Sequence, residues 1–397
     1  MKPFPTSTQR SHNVLFGYTE NQLKVLRAAD TAGEIRQQPA TWQKTIAQIK
    51  DIWGDLQAFV HSVTDAPDYQ IILSGAGTSE YVGNALRPAL LRAHHGHVQS
   101  VATTDIVASP ESYIDPDTPA LLVSFARSGN SPESVGTVQA FDHFSDKVRH
   151  LVFTCNKDGH LANRAAENDH CFGVVLTEET NDKSFVMTSS FTNMYIAALM
   201  TLLGDQDLPF DAAVKAADAF LENGWSPLRS LLQAAVPHRA VFLGSDVLKG
   251  IAQESALKMM EITAGDVISI YDTPMGFRHG PKSVVNAEEL TVLYLSDEPV
   301  TRRYEMDLLA ELNRDRQGSR IIAVTAKDDE SVRRLADLTV VLPFEEKTPN
   351  SLLAPAYITV AQTLALLCSL TMGCTPDNPC PTGEVNRVVQ GVTIYPL

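Results

Sequence analysis

Net positive charge is missing from this sequence. Its 397 residues carry 32 Lys and Arg against 47 Asp and Glu, a formal charge of −15 at pH 7. A surface of that sign disfavours nucleic acid and anionic membranes, so neither is an expected partner. An anionic metabolite stays open, because a local cluster of donors can oppose the overall field. A disulfide framework is missing too. Cys155, Cys171, Cys368, Cys374 and Cys380 are odd in number and scattered, with no C-x-x-C pair. They read as reduced thiols of a cytosolic protein, and no histidine stands near Cys374 and Cys380 to complete a zinc site. The N-terminal MKPFPTSTQR lacks the apolar core of a signal peptide. The most apolar run, Ala356 to Cys374, is interrupted by Gln362, Thr363, Ser369 and Thr371, which predicts a buried helix instead of a membrane span. No metal or redox cofactor is signalled. What is present is ordinary core material, 44% hydrophobic and 20% charged, in a chain long enough for two domains.

Residues 20–63 show helical periodicity through Leu23, Leu26, Ile35, Trp42, Ile46, Ile49 and Trp53, with Pro39 placed to end one helix and begin the next. Residues 1–65 are therefore read as a helical arm. An apolar strand, Tyr69 to Ser74, then enters a glycine-rich turn and a helix. Strands follow at His97–Thr103, Ala120–Phe125, Val148–Thr154 and Phe172–Leu176, and a long helix, Ser190–Leu203, closes the unit. Strands alternating with helices predict an α/β fold with a parallel sheet covered on both faces. Gly204 to Pro209 reads as a linker. The plan then recurs: strand Ala240–Leu243, a helix, and strands near Leu290–Leu295, Arg320–Val324 and Leu338–Leu342, before a last helix, Leu353–Met372. The chain is thus expected to hold a divergent internal repeat, residues 66–204 and 211–397.

Two loops of the first half suit an anion. Gly75-Ala-Gly77-Thr78-Ser79 and Arg127-Ser128-Gly-Asn130-Ser131 each join a strand to a helix start. Glycine lets backbone approach a ligand, the helix N-terminus offers unpaired N–H groups, and hydroxyls rotate to meet phosphate oxygens. Helix capping favours the same residue types, so one such loop would carry little weight. Two at the carboxyl ends of neighbouring parallel strands carry more. The corresponding second-half loop, Ser296-Asp-Glu-Pro299, has two carboxylates that would repel phosphate. The first half is therefore expected to hold the phosphate and the second to supply acid–base groups.

Those groups stand between Gln253 and Lys282. Glu254, Lys258 and Glu261 are spaced four and three apart, which stacks them on one face of a helix. A surface row of paired charges would look the same. After Glu261 the helical pattern fades into a turn-rich segment through Asp272, Pro274 and Gly276, which delivers His279-Gly-Pro281. Two carboxylates, an amine and a returning imidazole match an acid–base site.

With these residues placed, the chain resembles the sugar isomerase (SIS) family of phosphosugar-binding domains, present in tandem. The strand–GAGTS–helix unit, S-F-A-R-S-G-N-S, and E-S-A-L-K-M-M-E-I followed by F-R-H-G-P carry the resemblance. The last two are similar to the isomerase half of glucosamine-6-phosphate synthase. S-F-A-R-S-G-N-S-P-E-S, E-E-T-N-D-K-S-F and M-T-S-S-F-T look like the AgaS group, associated with galactosamine-6-phosphate and tagatose-phosphate metabolism. The resemblance implies Ser79, Ser128 and Ser131 on phosphate, Glu261 as the base moving a proton between C1 and C2, and Glu254 and Lys258 as a supporting charged pair. It implies a homodimer in which His279 opens the sugar ring of the partner subunit's site. Ala126 replaces a phosphate-contacting serine of the synthase, with Ser124, Arg127 and Asn130 as candidates to compensate.

Two departures bear on the reaction. No glutaminase domain is expected, since no cysteine nucleophile follows Met1. Gln390 also stands where the synthase has its Schiff-base lysine, and no lysine occurs after Lys347. An amide cannot form a Schiff base. The implied reaction therefore runs from a phosphorylated amino sugar to ketose phosphate and ammonia, as in galactosamine 6-phosphate to tagatose 6-phosphate. Alternatives are the gluco substrate, a plain ketose/aldose isomerase, and a non-catalytic sugar-phosphate sensor. Sensors usually pair a single SIS domain with a DNA-binding module, and the acidic charge with both Glu261 and His279 present speaks against one.

Overall fold

The structure, a computed structural model, describes residues 14–389 and 391–397. A short ribbon, β1 (Val14–Leu15) and β2 (Tyr18–Thr19), and α1 (Glu20–Val25) lead into α2 (Ala29–Asp51) and α3 (Trp53–Thr64). Pro39 does not divide the arm as its sequence suggests. It lies inside α2, and the break falls at Ile52. Proline leaves the carbonyl four residues back without its N–H partner. Here the Gln38 side-chain amide donates to that carbonyl, Ile35 O, at 3.0 Å, so the helix continues.

The first sheet is built from β3 (Gln70–Gly75), α4 (Thr78–Ala93), β4 (Val98–Ala102), α5 (Thr103–Ala108), β5 (Ala120–Ala126), α6 (Pro132–Phe144), β6 (Val148–Thr154), α7 (His160–Glu167) and β7 (Cys171–Val175), followed by α8 (Ser189–Leu203). After α9 (Asp211–Ala219) and α10 (Ser226–Ala234), the second comprises β8 (Arg239–Leu243), α11 (Val247–Ile262), β9 (Ile268–Asp272), α12 (Pro274–Phe277), β10 (Glu289–Tyr294), α13 (Pro299–Asp315), β11 (Arg320–Thr325), α14 (Glu330–Leu335) and β12 (Leu338–Val341), then α15 (Asn350–Met372). The sheets run β4-β3-β5-β6-β7 and β9-β8-β10-β11-β12, the same order twice, and every pairing in them is parallel. The stretch after Glu261 is accordingly not only turns. It contains β9, an edge strand, and α12; the reading from sequence also passed over α10.

Helices α2, α4, α8, α11 and α15 share one apolar core across both halves. Among the described residues α15 is the one helix long and apolar enough to cross a membrane, and its apolar window is wholly buried in that core. Where α4 and α11 cross, a Cβ on Gly250 would stand 2.5 Å from Ala85 Cα. Only glycine permits that approach. The crossing brings the first turn of α4 against the middle of α11, and the candidate site forms there.

Candidate active site

The strand order reverses between β3 and β5, the position where open parallel sheets bind ligands at the carboxyl ends of their strands. A cavity of about 310 Å³ opens there. Gly77 and Ser79 line it from the β3 loop, and Ala126, Arg127, Ser128 and Ser131 from the β5 loop. Gly77 has φ +55°, ψ −127°, a conformation strained for any side chain. The Ser128 hydroxyl accepts from Asn130 N at 3.3 Å, which leaves its proton to donate. Ser79 Oγ makes a long contact, 3.9 Å, to Met187 Sδ. Ser131 caps α6, accepting from Ser134 N at 3.3 Å and donating to Ser134 Oγ at 2.7 Å.

Two proposed ligands are engaged elsewhere. The exposed Asn130 carboxamide accepts from His160 N at 2.8 Å and so caps α7. The buried Arg127 guanidinium donates to Phe185 O (3.1 Å) and Arg387 O (2.6 Å). Burial, followed by the charge of Arg387, lowers its pKa to about 10. Arg387 in turn donates from Nε to Asp182 O at 3.1 Å and Ser184 O at 3.2 Å. The two arginines thus fasten residues 387–389 beside the cavity, which Arg387, Val388 and Val389 line. The E-E-T-N-D-K-S-F segment is the anchor. Its buried Asp182 accepts from Thr188 N (2.8 Å), Ser190 N (2.9 Å) and Ser190 Oγ (2.6 Å) at the start of α8. Glu34 of α2 accepts from Ser184 N at 3.2 Å; burial, then the charge of Asp182, raises its pKa to about 8. Glu133, Met187 and Arg387 also line the cavity wall; the first two lie within the S-F-A-R-S-G-N-S-P-E-S and M-T-S-S-F-T motifs. Gln390, the remaining binding candidate, lies outside the described residues.

The spacing of Glu254, Lys258 and Glu261 does place them on one face, and that face is not a solvated one. Glu254 is 0% exposed and Lys258 1%, while the Glu261 side chain keeps 25% of its surface. Lys258 Nζ lies 2.5 Å from Glu261 Oε2 and 3.4 Å from Glu254 Oε1. Thr78, at the first turn of α4, accepts from Lys258 Nζ at 2.9 Å and donates to Glu254 Oε1 at 3.2 Å. Its side chain therefore serves this ladder and not the cavity. Burial raises the Glu254 pKa to about 8, with Lys258 pulling it down and Glu261 pushing it further up. Burial acts to lower the Lys258 pKa, but the two carboxyl groups outweigh it and the net shift is upward. Burial and the neighbouring Glu261 thus favour the protonated form of Glu254, with Lys258 opposing them.

His279 follows α12 in an exposed turn, and among the described residues no side-chain hydrogen bond joins it to the ladder. Its loop is held from behind: Arg278 Nε pairs with Glu311 at 3.0 Å and Lys282 with Asp315 at 2.8 Å, both on α13. In the second half the loop equivalent to Ser128 is blocked. The fully buried Glu305 carboxylate accepts from Ser296 N at 2.7 Å, and burial raises its pKa to about 7.

The fold is a tandem pair of parallel α/β sheets with an anion-suited cavity at the switch point of the first. The SIS domain family matches residues 66–204 and 235–372, and the chain belongs to that family. It is 41% identical over 368 residues to the D-galactosamine-6-phosphate deaminase AgaS of Escherichia coli O157:H7, covering 92% of this chain and 95% of that one. Among solved structures, tagatose-6-phosphate ketose/aldose isomerase from Escherichia coli superposes with TM-score 0.85 at 38% identity, over 92% of this chain and 96% of that one. A crystal structure from Clostridium novyi NT gives TM-score 0.95 at 37% identity, over 98% and 100%.

Proposed function

We propose that this chain is an amino-sugar-phosphate deaminase/isomerase that converts galactosamine 6-phosphate and water to tagatose 6-phosphate and ammonia. The observation that carries the reading is the buried Glu254–Lys258–Glu261 ladder touching, through Thr78, the same loop whose Gly77 and Ser79 line the cavity. The galacto configuration rests on the relatives. In this reading the phosphate meets the hydroxyls of Ser79, Ser128 and Ser131 and the N-termini of α4 and α6. Arg127 acts by fastening residues 387–389, and Gln390 stays a proposed substrate contact.

The partly open Glu261 takes the C2 proton of the open-chain aldose, with Lys258 beside it to steady the charge. The electron pair moves into a C1–C2 double bond as the C1 carbonyl π bond breaks toward O1, which takes a proton, giving an enolamine. Return of a proton to C1 gives the 2-imine, water adds at C2, and the C–N bond breaks to release ammonia. Oxidation level only shifts from C1 to C2, so the chemistry requires no outside oxidant or reductant. His279 is assigned to ring opening in a neighbouring subunit. Its exposure on a fixed loop supports this, as do the exposed Ile268, Tyr271 and Met275 of the same stretch of chain. An equimolar mixture of Glu261→Gln and His279→Asn proteins would regain activity if His279 acts across subunits, and stay inactive if it acts within its own.

The isomerase relative favours a second reading, in which aldose and ketose phosphates interconvert without loss of nitrogen. Ammonia and ketose phosphate measured together separate the two. Equal amounts from galactosamine 6-phosphate support the proposal, and turnover of tagatose 6-phosphate without ammonia from the amino sugar supports the isomerase.

A further inference from the structure

We propose that Thr78 is a positioning residue whose hydroxyl sets the Lys258 ammonium between its carboxyl partners and so couples the cavity loop to the alignment of Glu261. The inference rests on the acid–base reading of the ladder. A threonine hydroxyl has one proton to give and lone pairs to accept with. Thr78 uses both, accepting from Lys258 Nζ at 2.9 Å and donating to Glu254 Oε1 at 3.2 Å. Lys258 has three protons, and its neighbours are Glu261 Oε2, Thr78 Oγ1 and, further off, Glu254 Oε1. With Lys258 only 1% exposed, water cannot replace a lost acceptor, so the hydroxyl restricts a flexible side chain to one orientation.

The backbone placement supplies the coupling. Thr78 stands between Gly77 and Ser79, which line the cavity, while its own side chain is buried and turned to α11. Its helix belongs to the first half and the ladder to the second, and the two meet where Gly250 packs on Ala85. A ligand that settles the loop therefore settles the acceptor of Lys258 as well. A residue serving only as a phosphate donor would direct its hydroxyl into the cavity, and Thr78 does not.

The test compares Thr78→Val, which keeps the shape and deletes the hydroxyl, with Thr78→Ser, which keeps the hydroxyl. Glu261→Gln runs beside them under the same assays of ammonia release and C2 exchange in D2O. Thr78→Val is expected to lower kcat about 10- to 100-fold while KM for the phosphosugar stays within about twofold. The limb of the pH profile belonging to the ladder should move to higher pH, because the Thr78 hydrogen bond lowers the Glu254 pKa. Thr78→Ser should recover most of kcat and return the profile. A raised KM with kcat intact would overturn the proposal and make Thr78 a phosphate ligand. Equal losses in the Val and Ser variants, or an unmoved pH profile, would overturn it also. If the Val variant does not fold, Thr78→Ala against Thr78→Ser carries the same comparison. An inactive Glu261→Gln beside a parent-like Thr78→Val removes only the positioning role, whereas a fully active Glu261→Gln removes the acid–base reading itself.

Discussion

Glu261→Gln puts the proposed base to its most direct test, since the amide keeps the shape and cannot take a proton. Loss of a positioned base typically costs about 10²–10⁴ in rate, roughly 3–5 kcal/mol of barrier. The stability cost should be smaller, and the structure says why. Breaking a buried ion pair usually costs about 3–5 kcal/mol, because it strands an uncompensated charge. Lys258 would not be stranded, since Glu254 Oε1 lies 3.4 Å away. Burial is the main cause of the raised Glu254 pKa and the charge of Glu261 adds to it, so removing that charge shifts Glu254 toward the ionised form that would pair with the ammonium. The helix itself is indifferent, as glutamine and glutamate have similar propensities. About 1–2 kcal/mol of lost stability is therefore expected beside the far larger loss of turnover. The assay follows ammonia release together with deuterium entering C2 of the sugar in D2O. Both should fall together. A variant that exchanges the C2 proton at the parent rate refutes the assignment and makes Glu254 the candidate.

Ser128→Ala should raise KM for the phosphosugar with little change in kcat, by the roughly 1–3 kcal/mol of a hydrogen bond to a charged group; an unchanged KM removes Ser128 from the phosphate. His279→Asn should lose more rate with the cyclic sugar than with a substrate held open-chain, and equal losses would assign His279 elsewhere. Glu289, fully buried at the start of β10, has its pKa raised from 4.5 to about 7, chiefly by burial. The folded protein holds that proton where the unfolded chain releases it, so this contribution is complete below about pH 4.5 and is lost by about pH 7, some 3 kcal/mol in all. Denaturant midpoints of Glu289→Gln should accordingly fall less between these pH values than those of the parent, and parallel curves would refute the shift.

What could be read from sequence follows burial. Strands β3, β5 and β6 are almost continuously buried and apolar, and their runs stand out. β9 is an edge strand with Ile268 58% exposed, too short and mixed to separate from the turn signals beside it. Pro39 misleads because its cost is local and Gln38, its neighbour, meets it. The site shows the same division. Helical spacing is enough to align Glu254, Lys258 and Glu261. Where a loop side chain points depends on what the fold brings opposite it. Thr78 and Asn130 sit in loops that suit an anion, yet one hydroxyl faces α11 and the other carboxamide faces α7. No spacing rule within either loop contains that information.

The repeat explains why a single chain would form one site and not two. Counted from their first residues, Thr78 and Val247, α4 and α11 are equivalent helices of 16 residues each. The places of Glu254 and Lys258 on α11 then fall on Ala85 and Ala89 of α4, so the first half has no ladder. The loop after β10 is in the place of the Ser128 loop, and there the Glu305 carboxylate already takes the Ser296 N–H, so that loop is not a free anion cradle. Each half lacks what the other supplies, and neither deficit can be repaired within its own sheet. The alanine at position 85 is nevertheless used, because it is where Gly250 packs to bring the two helices together. Loss of the ladder from α4 and close approach of the ladder on α11 thus depend on the same small residue. A larger side chain at Ala85 or Gly250 would separate Thr78 from Lys258 without touching a group that meets substrate.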